Sequence, residues 1–203
     1  MDLRNYGDWM LPLLRKCVTV ILWRQVAAFS SSGGAMNTTH HAGVALCLEQ
    51  IGVAKPTWTT LVTAAGAIAD QPADRLWATW SDLPRWPEWS TALHSAARWT
   101  NGDSFLPGAQ FEQVLRLGFP LGRTTAPETV RMVEPERLAS WSKHANGVRS
   151  CHLWQFEPLP DGRTRISNVE VFHGTPIGLI KPLVGARWRR LFQASVDNLI
   201  AIA

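Results

Sequence analysis

Tyrosine, cysteine and charge are all scarce in this chain of 203 residues, and each scarcity excludes something. The three cysteines, Cys17, Cys47 and Cys151, lie far apart with no CxxC pair. That rules out a thiolate zinc ribbon and a dense disulfide framework, and it fits a reducing cytoplasm. Charged residues are only 18% of the chain and hydrophobic ones 46%, so wholesale disorder is excluded. No long apolar run is present: Arg15, Lys16 and Arg24 interrupt the one candidate at 11–29, so stable membrane insertion is not expected. The stretch 18–23 is too short for a signal-peptide core and is followed by no clear small-residue cleavage site. A phosphate-binding glycine loop and a serine-nucleophile elbow are both missing, and no cofactor is implied.

Against a single tyrosine stand 11 tryptophans. An indole buries a large flat surface and keeps one N–H that wants a partner, so these side chains are either core packing or the lining of a wide pocket. The net charge of +4 is mild, and its most compact source is Arg187, Arg189 and Arg190 beside Trp188. Such a run can meet nucleic-acid phosphates or anionic lipid, but is more often a solvated helix face. No nucleic-acid motif accompanies it, and nucleic acid is not an expected partner. The sequence leaves the oligomeric state open.

Residues 1–56 differ in character from the rest and read as an N-terminal extension. Ser30-Ser31-Ser32-Gly33-Gly34 is a flexible spacer by composition. Gly33-Gly34 just before Ala35-Met36 can be encoded by a string like a bacterial ribosome-binding site, which would make Met36 the native start and 1–35 a misassigned leader. Residues 37–51 predict a short helix, with Thr38 or Thr39 as its cap.

From Thr57 onward the pattern is orderly. Residues 58–68 read as a strand. Asp70-Gln71-Pro72 opens a helix, with Asp70 or Gln71 as its cap, and Asp82-Leu83-Pro84 stops it; Trp86-Pro87-Glu88-Trp89 then forms a second short helix or turn. Strand-like segments follow at 93–99, 109–117, 123–134, 137–144, 148–158 and 163–173, separated by short turn sequences such as Asn146-Gly147. Short connections favour an antiparallel meander. After Gly174-Thr175-Pro176 a long amphipathic helix runs to the end, with Pro182 kinking its first turns or marking its true start. One domain therefore covers 57–203, and only the terminal helix is long enough to cover the concave face of so large a sheet.

This order, together with several local strings, resembles the START-like (SRPBCC) superfamily of helix-grip proteins, in particular its polyketide-cyclase/dehydrase-like branch. The strings are Ala67-Ile68-Ala69-Asp70-Gln71-Pro72-Ala73-Asp74-Arg75-Leu76-Trp77, Ser81-Asp82-Leu83-Pro84-Arg85-Trp86-Pro87-Glu88-Trp89, Phe156 to Ile166, and Glu170-Val171-Phe172-His173-Gly174 followed by Pro182-Leu183. The resemblance implies an α+β, Bet v 1-like architecture: a curved antiparallel sheet wrapped around a long C-terminal helix, with two short helices after the first strand. It further implies an internal cavity for a small hydrophobic, polyketide- or lipid-like molecule. The superfamily holds carriers, sensors and cyclases, so fold alone does not decide among them.

In such a cavity the inward residues of alternating strands are the informative ones. On 148–158, the more apolar face carries Val148, Ser150, His152, Trp154 and Phe156. On the last strand the resemblance leans toward Asn168, Glu170 and Phe172 as inward. His152 and Glu170 are then candidate acid–base groups for an enolisable ligand. The simpler alternative is that His152, Asn168 and Glu170 satisfy one another or fix a ligand carbonyl. Trp77, Trp80, Trp86 and Trp89 at the elbow, Trp154, Phe156, Asn168 and Phe172 on the strands, and Leu183 and Trp188 on the helix are the candidate ligand contacts. His144 is expected at an exposed strand end. His40-His41 lack the spaced partners a metal site needs, and Cys151 and His152 point to opposite faces of their strand. The leading expectation is a binder; a cyclase, aromatase or dehydratase is the alternative.

Overall fold

A computed structural model describes residues 34–203, with side chains from Thr39 onward, and Thr38–Ala203 form one compact unit. Helix α1 is Gly34–Gln50, and β1 is Thr60–Ala69. Helix α2 (Ala73–Ser81), a single 3-10 turn (Leu83–Arg85) and the short α3 (Trp86–Trp89) make the elbow. Six strands follow: β2 (His94–Asn101), β3 (Gln110–Gly118), β4 (Gly122–Glu134), β5 (Leu138–Ala145), β6 (Val148–Pro158) and β7 (Thr164–His173). Helix α4 (Thr175–Ile202) closes the chain. The strands form one antiparallel sheet in the order β1-β7-β6-β5-β4-β3-β2. This is the helix-grip architecture.

Local chemistry accounts for most of the boundaries. Asn146 and Gly147 both have positive φ, and they join Ala145 to its partner Val148 as a two-residue hairpin turn. Helix α2 departs from expectation at its start. Pro72 is the N-cap with no side-chain cap hydrogen bond, and Gln71 instead donates to Ile200 O of α4. Helix α1 begins at Gly34, so Thr38 and Thr39 lie within it rather than capping it. Pro182 lies inside α4, whose first turns it neither starts nor ends. The proposed start at Met36 depends on residues 1–33, which lie outside the described residues.

Side chains on the two faces of the sheet join two separate cores. On the concave face Trp154, Phe156, Ile166 and Phe172 pack with Val184, Trp188, Phe192, Val196 and Leu199 of α4. On the convex face Cys151, Leu153, Val169 and Val171 pack with Cys47, Leu48, Ile51 and Val53. Alternation along β6 and β7 produces both cores from the same two strands. Helix α1 comes close at Gly43, where a methyl group would crowd Leu153, Gln155 and Val169. Cys47 and Cys151 are joined by a single disulfide across a sequence separation of 104. Spacing along the chain excludes a dense framework but says nothing about two residues brought together from distant parts of a fold. Among the described residues no helix is long and apolar enough to cross a membrane.

Candidate functional site

A cavity of about 30 Å³ lies between α4 and the concave face of the sheet. One part of its wall is apolar: Leu93, Leu115, Leu117, Phe172, Trp188 and Phe192. The other part is polar: His94, Gln113, Lys143, His152 and Glu170. A space of this size holds a water or two, far less than a drug-sized ligand.

Two hydrogen-bonded groups meet at this wall. The first lies on β6 and β7, where His152 and Glu170 are directly opposed in the register. His152 Nε2 is 2.6 Å from Asn168 Oδ1, so as placed this nitrogen carries the hydrogen and Nδ1 keeps a lone pair. Glu170 Oε2 lies 3.6 Å from Nδ1, beyond hydrogen-bond length. Burial drives the two groups apart in acidity. It lowers His152 to about 3, helped by the nearby positive charge of Lys143 and opposed by the Asn168 hydrogen bond. It raises Glu170 well above the usual carboxylate range, Glu128 adding to the rise and Lys143 opposing it. Burial disfavours the charged form of both groups, so it works against an ion pair across the 3.6 Å contact.

The second group runs from the helix across the sheet. Ser195 Oγ of α4 is 2.7 Å from Ser90 Oγ, and Ser90 Oγ is 2.8 Å from His94 Nδ1. His94 Nε2 donates to Gln113 Oε1 at 2.9 Å, and Gln113 Nε2 donates to Glu128 Oε1 at 3.3 Å. Lys143 Nζ stands 3.5 Å from the same oxygen. Burial lowers His94 to about 4, against the pull of its Gln113 hydrogen bond. It raises Glu128, and Lys143 and Gln113 hold that rise back. The relay leaves polar atoms over. Glu128 Oε2, Asn168 Nδ2 and the indole N–H of Trp188 are buried without a hydrogen-bond partner among the described residues.

Of the residues singled out from sequence, His152, Glu170, Phe172 and Trp188 stand on the cavity wall, and Asn168 buttresses His152 from behind. Trp77, Trp80, Trp86, Trp89, Trp154 and Phe156 do not border it. They pack against one another at the elbow end of the concave face, joined by Phe105, Phe111 and Trp141. Ring centroids there are 5.0 Å apart for Trp77–Trp80, 5.8 Å for Trp77–Phe156 and 6.2 Å for Trp89–Trp154. Trp86 Nε1 is fixed by a 2.6 Å hydrogen bond to Trp80 O. The bulk of these rings fills the space that the sequence reading left open as pocket. Leu183 is a correction: its side chain is 68% exposed, because the buried stripe of α4 runs through Ile177, Val184, Trp188 and Phe192 and leaves position 183 on the far side. His144 is exposed. Among the described residues no group of three or more His, Cys, Asp or Glu side chains is arranged to hold a metal.

Sequence reading missed His94, Gln113, Glu128 and Lys143. The signal was available, since Phe111-Gln113-Leu115 on β3, Ala126-Glu128-Val130 on β4 and Ala139-Trp141-Lys143 on β5 each interrupt an inward apolar face with one polar residue.

Comparison with known proteins agrees with the fold. Residues 59–203 match the family described as polyketide cyclase/dehydrase and lipid transport. No curated protein matches the chain. Among solved structures, an aromatase/cyclase from Streptomyces sp. R1128 is similar with a TM-score of 0.57 at 11% identity, over 70% of this chain and 92% of that one. The major latex-like protein 151 of Panax ginseng gives 0.56 at 8% identity, over 70% and 97%. A point mutant of Thalictrum norcoclaurine synthase, solved with a transition-state analogue, gives 0.52 at 16% identity, over 70% and 94%. At such identities the likeness establishes the fold.

Proposed function

Since the chain belongs to the polyketide cyclase/dehydrase and lipid transport family, we propose that it binds a small, largely apolar molecule between the sheet and α4, with the molecule's polar end at Glu170 and His152. The observation that carries this reading is the two-sided wall: apolar side chains from α4, β3 and β7 face a buried acid, two neutral imidazoles and the unpaired indole N–H of Trp188. Unsatisfied buried donors cost free energy, and a ligand carbonyl or hydroxyl at Trp188 Nε1 would recover part of it. A ligand larger than the cavity of about 30 Å³ must displace side chains, so binding is coupled to movement of Phe172, Phe192 or Trp188, or of α4 itself. Cytoplasmic residence is part of the proposal, and there Cys47 and Cys151 would face reduction to the dithiol.

A second reading has a specific observation in its favour. Glu170 and His152 form an acid and a base whose affinities for the proton are pushed in opposite directions by burial, the arrangement that supports general acid–base chemistry. It makes the protein a cofactor-independent cyclase, aromatase or dehydratase. One experiment separates the two. Reactive poly-keto substrates and their unreactive aromatic analogues are offered to the wild type and to Glu170→Gln, with tryptophan fluorescence reporting binding and chromatography reporting products. Binding without product in both proteins supports a carrier. Product from the wild type alone, with binding kept in the variant, supports the enzyme. Failure of every apolar ligand to perturb the fluorescence would overturn the proposal.

A further inference from the structure

The cavity borders a surface on which exposed apolar side chains and unpaired cations are intermixed. Phe119, at the tip of the β3–β4 hairpin, is 86% exposed, and Leu121 beside it is 37% exposed. Leu179 and Leu183, one turn apart on the outer side of α4, are 70% and 68% exposed. One further turn along the same side, the guanidinium of Arg187 lies directly against Gly118 of the hairpin. That contact makes hairpin and helix one surface. It sits over the cavity, since Leu117 and Trp188, the chain neighbours of Gly118 and Arg187, are both in the cavity wall. At the start of α4 the exposed Trp58 ring lies against Gly178 and extends the patch.

The charges in these two segments are of one sign. From residue 113 to 127 the chain carries Arg116 and Arg123 and no carboxylate; from 175 to 196 it carries Lys181, Arg187, Arg189 and Arg190 and no carboxylate. Among the described residues none of these six lies within ion-pair distance of an acid. A soluble protein gains nothing in water from four exposed large apolar side chains set among cations that no acid neutralises, Arg123 and Lys181 reaching only Ser95 Oγ and Thr60 O. An anionic bilayer surface complements both features, since its phosphates meet the guanidinium groups while its acyl boundary receives Phe119, Leu121, Leu179 and Leu183.

We propose that this face, the β3–β4 hairpin together with the outer side of the first half of α4, docks reversibly on anionic lipid surfaces. The Gly118–Arg187 contact lies within this face, next in the chain to the cavity-wall residues Leu117 and Trp188. An acidic protein partner would use the same cations but would not need the apolar tips to enter a hydrocarbon layer.

Co-sedimentation of the full chain with vesicles tests this. Two vesicle types are compared, phosphatidylcholine alone and phosphatidylcholine with roughly 30% phosphatidylglycerol, a content chosen to give a strongly negative surface. The expected result is partition onto the phosphatidylglycerol vesicles, falling as salt rises from roughly 0.1 M to roughly 0.5 M. Phe119→Asp and Leu183→Asp should each weaken partition at least about tenfold, the order expected for loss of one partly buried large apolar side chain. Both positions are exposed, so unchanged circular dichroism and unfolding midpoints are expected. Equal or absent partition onto the two vesicle types overturns the proposal. So does salt-sensitive binding that neither substitution weakens, which would mark the face as a site for an acidic macromolecule.

Discussion

Replacing His152 by Gln should remove a defined share of the protein's sensitivity to acid. The imidazole is buried, with ring centroids 4.5 Å from Trp141 and 5.1 Å from Phe192, and its folded-state pKa of about 3 lies far below the ordinary 6.5. Glu170, His94 and Lys143 are the titratable groups that face it across the cavity. Below pH 6.5 the unfolded chain takes up a proton that the native histidine refuses, so stability is fully present above 6.5 and falls as the pH drops toward 3. Between pH 8 and pH 5 the histidine crosses about 1.5 units of that window, which at 1.36 kcal/mol per unit is a loss of about 2 kcal/mol. The substitution also costs ring packing, but that penalty is the same at both pH values and cancels in the difference. Urea unfolding of wild type and His152→Gln at pH 8 and pH 5, with the disulfide intact and tryptophan fluorescence as the signal, gives the double difference. The expected outcome is that the variant loses about 2 kcal/mol less than the wild type on acidification. Parallel losses, agreeing to within about 0.5 kcal/mol, would mean that His152 is solvated or already charged in the native state, and the neutral-imidazole reading of the site would fall.

Glu170→Gln should show the opposite sign. The native acid keeps its proton above pH 4.5 where the unfolded one releases it, so the variant should be more stable than wild type at pH 8, and the gap should close as the pH falls toward 4.5. Lys143→Met should cost about 3–5 kcal/mol in denaturant unfolding, because it strands the buried Glu128 carboxylate; adding Glu128→Gln should restore most of that loss. Reducing the Cys47–Cys151 bond releases a loop constraint over 104 positions, and the unfolding free energy should drop by about 4–5 kcal/mol with dithiothreitol.

The architecture was legible because the signals that set it are local. Turn residues bound the six later strands, so the expected 148–158 is the strand Val148–Pro158; the expected 58–68 is observed as Thr60–Ala69. Alternation on β6 placed His152, Trp154 and Phe156 on the concave side, where they stand. What could not be read depends on distant parts of the chain meeting. Cys47 meets Cys151 because α1 folds over the convex face, and no rule of spacing announces this. The indoles illustrate a second limit, since composition shows that they are numerous but not whether they line a space or fill it. Trp80 and Trp86 fill it, stacked on Phe105 with centroids 4.5 Å and 5.9 Å away. Leu183 shows a third, for a broad apolar pattern on α4 could not say which leucines lie just outside the buried stripe.

The pairing of β1 with β7 has a consequence for synthesis. Among the described residues β1 sits at the sheet's margin and has β7 as its one strand neighbour, in a register running from Ala69↔Thr164 to Thr60↔His173. On the ribosome β1 is made early and must wait, with its hydrogen-bonding edge open, until the last strand has left the exit tunnel. The meander from β2 to β6 needs no such delay, because each hairpin closes on its own neighbour. A stalled or truncated chain ending before Thr164 would therefore present an unpaired β1 and an uncovered concave face together, the combination that nascent-chain chaperones recognise.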